Sequence, residues 1–425
     1  MARIKPFSGL RFTKKAGETA ELCCPPYDII SEEQRIGYLR RNPHNIIRLE
    51  LPKEGENPYK TAGETLNIWL SGEILKPDSQ PAYYVYREEF DALGKRMAIE
   101  GLICLVKLEE FEKGVVLPHE ETLSKAKTDR FNLMKATGCN FSQIYSLYMD
   151  ESRETPSLLA RAADAPALSE YTDEAGIRHS LWAVTDPAVI EEVTKQFENR
   201  KLYIADGHHR YETALNYRNY LRENGMAKPG DLADYVMMFL CDMQNPGLVV
   251  YPTHRIVHSL EDFDAGKLLK RCEEYFEVSG GIPIGELSRV MSENYEKGNT
   301  VFGFYNGGDS FTLLSLLGKD IMEQKMPDSG AALRELDVSV LHTLILDELL
   351  GIDKQNMAQG KNLRYTRDME EALTMREGMN CAFLLNPTRV DEICAVALEK
   401  GKMPQKSTYF YPKLTTGMVM NRVKI

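Results

Sequence analysis

Along this chain the apolar positions switch repeatedly between a strand period and a helix period. The clearest switch lies between Leu202 and Leu221. Leu202 to Ala205 form an apolar run of strand length, Asp206 and Gly207 break it, and Tyr211, Ala214, Leu215, Tyr217 and Leu221 then recur at helical spacing. The pattern predicts strand, tight turn, helix. Similar readings give strands at Tyr83 to Phe90 and Met97 to Leu108, joined by a hairpin turn at Leu93-Gly94-Lys95. They also give helices at Tyr59 to Leu70, Pro187 to Phe197 and Val390 to Leu398. Tyr235 to Cys241 is a continuous apolar run, as expected of a strand buried on both faces. HNIIRLEL, residues 44 to 51, reads as a strand, and Ser31 with Gln34 resembles a capping box that opens a helix.

From about residue 260 the texture changes. Helices are predicted over Phe263 to Phe276 and Ile284 to Tyr295, and a hairpin over Val301 to Tyr305 and Ser310 to Leu316. Asp337 to Leu350 is strongly amphipathic, with His342 on it read as a structural residue. Ala382 to Leu385 reads as a strand. These elements divide the chain into a first region, 1–260, and an α+β second region, 261–425.

At 425 residues, with 43% hydrophobic and 27% charged positions, the chain is expected to be globular with two or three domains. A net charge of -11 argues against a general nucleic-acid binder, because such binding draws on excess Lys and Arg. The opening MARIKPFSGLRF lacks the apolar stretch of a secretory signal, and no apolar run reaches membrane-spanning length. The eight cysteines contain no C-x-x-C pair and lie mostly in apolar surroundings. Buried thiols and a cytoplasmic location are the expectation.

The chemistry concentrates at the turn Asp206-Gly207-His208-His209-Arg210. Glycine there opens backbone conformations closed to other residues, and Asp206 can cap the helix. The first-turn amides and the positive end of the helix dipole face whatever sits above the turn. His208, His209 and Arg210 add donors at the same place, and Arg can grip a phosphate bidentately. Such a turn suits a phosphate or pyrophosphate. Metal binding by the histidines ranks lower, since adjacent histidines at a helix start do not share a face.

Other stretches carry candidate groups. Pro25-Pro26-Tyr27-Asp28 reads as a rigid turn that either caps a helix or aims the Asp28 carboxylate into a cleft. Pro118-His119-Glu120 and Thr122 sit in an irregular stretch followed by Lys125, Lys127, Asp129 and Arg130, an arrangement compatible with acid–base and phosphate chemistry or with a solvated loop. Pro252-Thr253-His254-Arg255 places donors at a strand end. Near the C-terminus, Lys406 and Lys413 bracket a run containing Ser407, Thr408, Tyr409 and Tyr411, too aromatic for a frayed tail. Pro404 to Leu414 is expected to fold back and line the cleft of the Asp206–Arg210 turn, with Lys406 pointing toward Arg210.

The motifs PPYDIIS, PHEETLSKAKTDR, YIADGHHRYETA, YPTHRIVH, LDVSVLHTLILDELLG and MPQKSTYFYPKL, in this order over almost the whole chain, resemble the large prokaryotic domain-of-unknown-function 1015 family. The Leu202–Leu221 segment alone also resembles the phosphate-binding turn of the ParB/sulfiredoxin superfamily. Within that superfamily, the free serine kinases have the same Asp-Gly-His-His-Arg pattern. That second resemblance implies a ParB/sulfiredoxin-like mixed-sheet core with large insertions and a nucleotide or polyphosphate on the helix start. Phosphoryl transfer to a small hydroxyl compound would follow, with Asp206, His208, His209 and Arg210 around the donor phosphates.

The expectation is therefore an α+β phosphotransferase using ATP, ADP or pyrophosphate, with free L-serine as one acceptor. Asp28, Glu120, Asp206 and His209 are the candidate catalytic residues. Gly207, His208, His209, Arg210, His254, Arg255, Lys406, Ser407 and Thr408 would bind phosphate, and His119, Thr122 and Arg130 would bind substrate. Asp206 would carry Mg²⁺. The partners would be small molecules, with no nucleic acid and no membrane, and homo-oligomerisation is left open. Two rival readings are a non-catalytic nucleotide-binding switch or scaffold and a metal-dependent hydrolase using His119, Glu120, His208 and His209.

Overall fold

The computed structural model describes residues 1–122 and 124–423, without the side chains of Ser124, Lys125, Ala162 and Ala358. Its contacts divide the chain into two units. The first holds Met1–Pro118, Thr122–Val249 and Pro412–Ile425, and the second holds His119–Glu121 and Val250–Tyr411. Residue 260 thus falls inside the second unit, and the last stretch of chain returns to the first.

The first unit is built on a nine-stranded mixed sheet. The hairpin Tyr83–Ala92 and Lys95–Lys107 supplies its centre, turning on Leu93 and Gly94 at φ of 52° and 71°. Tyr235–Asp242 runs antiparallel to Lys95–Lys107 and parallel to Ile144–Tyr148. Leu202–Asp206 follows, antiparallel to Ile144–Tyr148, beside the short edge strand Val116–Leu117. Helix His208–Glu223 leaves the end of Leu202–Asp206 and buries Tyr211, Ala214 and Leu215 on the sheet, next to Ile204, Met238 and Leu240. Full burial of such side chains contributes about 1.5–3 kcal/mol each. Tyr211 is also pinned at its hydroxyl, which accepts from Glu109 N at 3.0 Å and donates to Glu109 O at 2.7 Å.

Local sequence explains most helix starts. Asn57 caps Pro58–Ser71, Asp186 caps Pro187–Phe197, and both helices begin with proline. Ser31 and Gln34 form the expected capping box. HNIIRLEL departs from expectation, because Ile47–Glu50 is a helical turn. Asn45 decides this: its Oδ1 accepts from Ile47 N at 3.0 Å, and its amide donates to Glu21 O and Cys23 O. Ile46, Ile47 and Leu49 are buried all round, so no alternation survives to mark the turn.

The second unit is an antiparallel six-stranded sheet, ordered Phe276–Pro283, Ser310–Leu316, Val301–Tyr305, Met379–Leu384, His254–His258 and Leu363–Thr366. Phe276–Pro283 and Leu363–Thr366 escaped the sequence reading. The first carries Gly280 and Gly281 with a register shift, and the second is four residues long. The helix beginning at Asp337 packs Val340, Leu341, Leu344, Ile345 and Leu349 against Phe302, Phe304 and Phe383. From Leu341 to Leu349 it is wound as a π-helix. All eight cysteines are buried and free. No helix among the described residues is long and apolar enough to cross a membrane.

Candidate functional site

The turn after Leu202–Asp206 has the predicted composition and an unpredicted wiring. Gly207, not Asp206, occupies the N-cap, at φ 98°. The backbone angle calls for glycine, and a Cβ there would meet the Arg210 guanidinium at 2.9–3.0 Å and push that side chain aside. The helix begins its internal bonding with Tyr211 N to Gly207 O at 3.1 Å, which leaves the amides before it at the mouth of the turn.

Asp206 caps nothing. Its Oδ2 accepts from Arg210 at 2.7 Å and its Oδ1 from Lys413 Nζ at 2.6 Å. The three side chains are 20%, 14% and 9% exposed, respectively. Burial alone would raise the Asp206 carboxyl, but Lys413 and Arg210 outweigh it and hold the group well below the ordinary carboxylate range. Arg210 also donates to Gln143 O, and Gln143 in turn donates to Thr415 O at 3.0 Å. His208 is buried and His209 half-buried on the same first turn.

One turn further along the helix, Glu212 collects two groups from the stretch that follows Pro118. Thr122 Oγ1 donates to it at 2.8 Å and Lys127 Nζ at 2.7 Å. Beside Arg210 lies a second buried group. Arg130 donates to Glu50 O at 2.7 Å and to Asp129 at 2.6 Å, and stacks 4.0 Å over the Tyr27 ring. Ser142 donates to Glu50 at 2.9 Å. Burial raises the Glu50 carboxyl against the pull of Arg130, while Arg210 and Asp28 both act on it electrostatically. The Tyr27-Asp28 turn is thus drawn toward the Arg210 neighbourhood, with Asp28 itself exposed.

The remaining expected residues belong to the second unit. Met403 N donates to His119 O at 2.7 Å, His119 Nε2 lies 3.2 Å from Thr408 Oγ1, and Glu120 Oε1 accepts from Lys406 N at 3.2 Å. Lys406 is exposed, with φ of 58°. Ser407 Oγ is turned inward to Pro404 O at 2.5 Å. His254 and Arg255 follow the end of Val249–Tyr251 but are sealed rather than open to a ligand. They open the strand His254–His258 at 1% exposure each, where the chain leaves the two-stranded pairing of Val249–Tyr251 and enters the six-stranded sheet. The expected fold-back of the C-terminal segment therefore reaches Asp206 through Lys413, the residue at the far end of the run from Lys406.

Sequence reasoning missed three groups of the turn. Lys413 was noticed only as a bracket of the aromatic run, Glu212 lies two residues beyond Arg210, and Glu50 hid in the misread HNIIRLEL. The side chain of Lys125 lies outside the described residues. Asp206 does not fit a resident Mg²⁺, because a divalent ion would have to displace Lys413 or Arg210 from its oxygens. Among the described residues no three His, Cys, Asp or Glu side chains gather to hold a metal ion.

Fold and turn together define an α+β protein with a cationic strand-to-helix turn. The chain belongs to the family described as Protein of unknown function (DUF1015), whose model matches residues 4–339. Comparison with curated proteins found no match. Among solved structures the chain is similar to a free serine kinase in complex with AMP, at 16% identity over 74% of this chain and 90% of that one, TM-score 0.37. It is also similar to a conserved hypothetical protein from Pyrococcus furiosus, at 15% identity over 74% and 94%, TM-score 0.36. A third likeness is to SbnI with C-terminal truncation from Staphylococcus aureus, at 10% identity over 75% and 86%, TM-score 0.36.

Proposed function

We propose that the protein is a phosphotransferase that moves a phosphoryl group from a nucleotide or pyrophosphate to a small hydroxyl metabolite, with free L-serine as the first acceptor to try. One observation carries the reading: Arg210 and Lys413 converge on the single carboxylate Asp206, beside the first-turn amides of helix His208–Glu223. In the resting turn Asp206 is the anion that both cations share. A polyphosphate brings more negative charge to the same place and takes over one or both. The Asp-Gly-His-His-Arg pattern supports the same assignment, and with it a ParB/sulfiredoxin-like core around the turn.

Phosphoryl transfer asks a protein mainly to position groups and to neutralise charge. Arg210, Lys413, His208 and the helix amides hold the donor phosphates, and His209 faces the transferring group. Glu212 keeps Lys127 and Thr122 at the rim. The acceptor hydroxyl gives its proton to a carboxylate, its oxygen forms the new bond to phosphorus, and the bond to the leaving phosphate breaks. Asp28 is the candidate for that carboxylate, within electrostatic range of the same Glu50 that Arg210 acts on.

The test is transfer of label from γ-labelled ATP, β-labelled ADP or labelled pyrophosphate to L-serine and a panel of small alcohols. The reading predicts a labelled phosphomonoester, lost in Asp28→Asn while the donor still binds. A donor that binds but transfers to nothing in the panel would replace the kinase with a nucleotide-binding switch.

A further inference from the structure

The second unit contains a cavity of about 320 Å³ that the proposed phosphate chemistry does not use. Ser339 and His342 face it from the helix that begins at Asp337, three residues apart and so on one face. The helix changes to π winding at Leu341, between them, and such wide turns occur often at functional sites. Polar side chains buried on an apolar stripe of this kind are ordinarily satisfied by the protein. These two are not. Ser339 is 2% exposed, and its hydroxyl has no hydrogen-bond partner among the described residues.

His342 is 6% exposed, and its wiring fixes its tautomer. Its Nε2 accepts from Arg255 Nε at 3.3 Å. A guanidinium can only donate, so Nε2 carries the lone pair and the neutral ring holds its proton on Nδ1. Burial, reinforced by Arg255, pushes the imidazole pKa well below its ordinary value, so the ring is neutral. Nδ1–H is then a donor with no protein acceptor among the described residues, polarised from behind by a cation.

That cation has a deficit of its own. Arg255 is 1% exposed and makes no ion pair among the described residues. Its other nitrogens donate to Thr253 O and to Lys406 O. Burial lowers even its pKa, to about 10. Its guanidinium also lies 5.4 Å over the Tyr365 ring, and the Glu120 carboxylate acts on it from a distance. A buried cation without a carboxylate in direct contact is costly, and an anion near it offsets that cost. Met326, Leu333 and Met357 give the cavity an apolar patch, and its charged lining is mixed, with Lys354 and Lys402 set against Glu121 and Asp347.

We propose that this cavity binds a small organic monocarboxylate. One carboxylate oxygen accepts from Ser339 Oγ–H and the other from His342 Nδ1–H, with Arg255 supplying the compensating charge through the imidazole. The remainder of the molecule lies on the methionine and leucine wall. Two neutral donors backed by one cation match a single negative charge, whereas a dianionic phosphate calls for direct cationic contacts.

The test is titration calorimetry on the full chain with acetate, L-lactate, butyrate and 4-methylpentanoate, with 1-butanol and inorganic phosphate as controls. At least one carboxylate is expected to bind, 1-butanol to give no heat, and phosphate to bind at least tenfold more weakly. Ser339→Ala should weaken the bound carboxylate about tenfold or more while pyrophosphate affinity stays unchanged. His342→Phe should abolish carboxylate binding, and Ser339→Ala keeps the test decisive if that variant fails to fold. Arg210→Lys should leave carboxylate affinity unchanged, which separates this site from the phosphate turn. Absence of binding by all four carboxylates, equal binding of phosphate, or an unaltered affinity in Ser339→Ala would overturn the proposal.

Discussion

Two clusters in this molecule set an arginine beside histidines, and they are wired oppositely. At the end of Leu202–Asp206, Arg210 and Lys413 share a carboxylate, and the group is partly open to solvent. In His254–His258, Arg255 is sealed, its neighbours His254 and His342 are neutral, and its acceptors are two carbonyls and an imidazole. In the proposed function the first cluster exchanges one anion for another, its cations remaining paired before and after. The second holds its cation without a direct ion pair among the described residues, with Glu120 acting on it from a distance and a neutral ring against it. Equal residue types therefore give an ion-paired arginine in one place and one without a direct ion pair among the described residues in the other. What separates them is the presence of a carboxylate and the degree of burial.

The largest expected effect attacks the shared carboxylate. Asp206→Asn leaves Lys413 and Arg210 facing each other without a counter-ion, and breaking a mostly buried pair of this kind costs about 3 kcal/mol or more. Urea denaturation of the variant at pH 7 measures it. The pH dependence carries a matching sign. The folded pKa of Asp206 is depressed below its unfolded value near 3.9, so its contribution is complete above about pH 4 and lost as the pH falls further. The Asn variant should lack this component of acid sensitivity. A variant as stable as the parent would remove the contrast between the clusters.

The second cluster titrates elsewhere. Burial, with Arg255 adding to it, lowers the His254 pKa to about 4. Between about pH 6.5 and 4 the unfolded chain takes up a proton that the folded chain refuses, so stability falls with pH through that window. The full effect for His254 is about 3 kcal/mol, since each tenfold difference in proton affinity between the two states is worth about 1.4 kcal/mol. His254→Asn offers an acceptor to Leu385 N, which now donates to His254 Nδ1 at 3.2 Å, and should flatten the slope. Parallel stability curves for parent and variant between pH 7 and 5 would contradict the assignment.

A smaller effect is expected at the turn backbone. Gly207→Ala strains a positive φ and crowds the Arg210 guanidinium, costing about 1 kcal/mol and weakening polyphosphate binding. An unchanged melting temperature would mean that the turn relaxes freely. Smallest of all, Thr122→Ala removes one neutral donor from Glu212 and should shift stability by about 1 kcal/mol or less, because Lys127 keeps the carboxylate paired.

Much of the fold was legible because local chemistry decided it. Pro187–Phe197 and Val390–Leu398 carry their own start signals and periodicity, and both appear with the expected bounds. The turn at Gly207 was legible for the same reason. Ile47–Glu50 was not, since Asn45 acts on it through bonds to a remote segment. The Asp206 partners were half legible: Arg210 lies four residues away on the first turn of the following helix, whereas Lys413 is brought in by the return of the last stretch of chain. His254 and Arg255 read as donors at a strand end, yet a strand of another sheet begins at His254 and buries them. Periodicity marks elements, but it does not say which charged residue a distant carboxylate will claim.

The most direct test of the central claim is titration of the full chain with pyrophosphate, ATP and ADP, in parent, Arg210→Lys and Lys413→Ala forms. Lys cannot reproduce the guanidinium fork, so a ligand held at this turn should bind Arg210→Lys about tenfold more weakly, with Lys413→Ala also reduced. Polyphosphate affinity that is the same in all three proteins would contradict the account and place anion binding away from the Asp206–Arg210 turn.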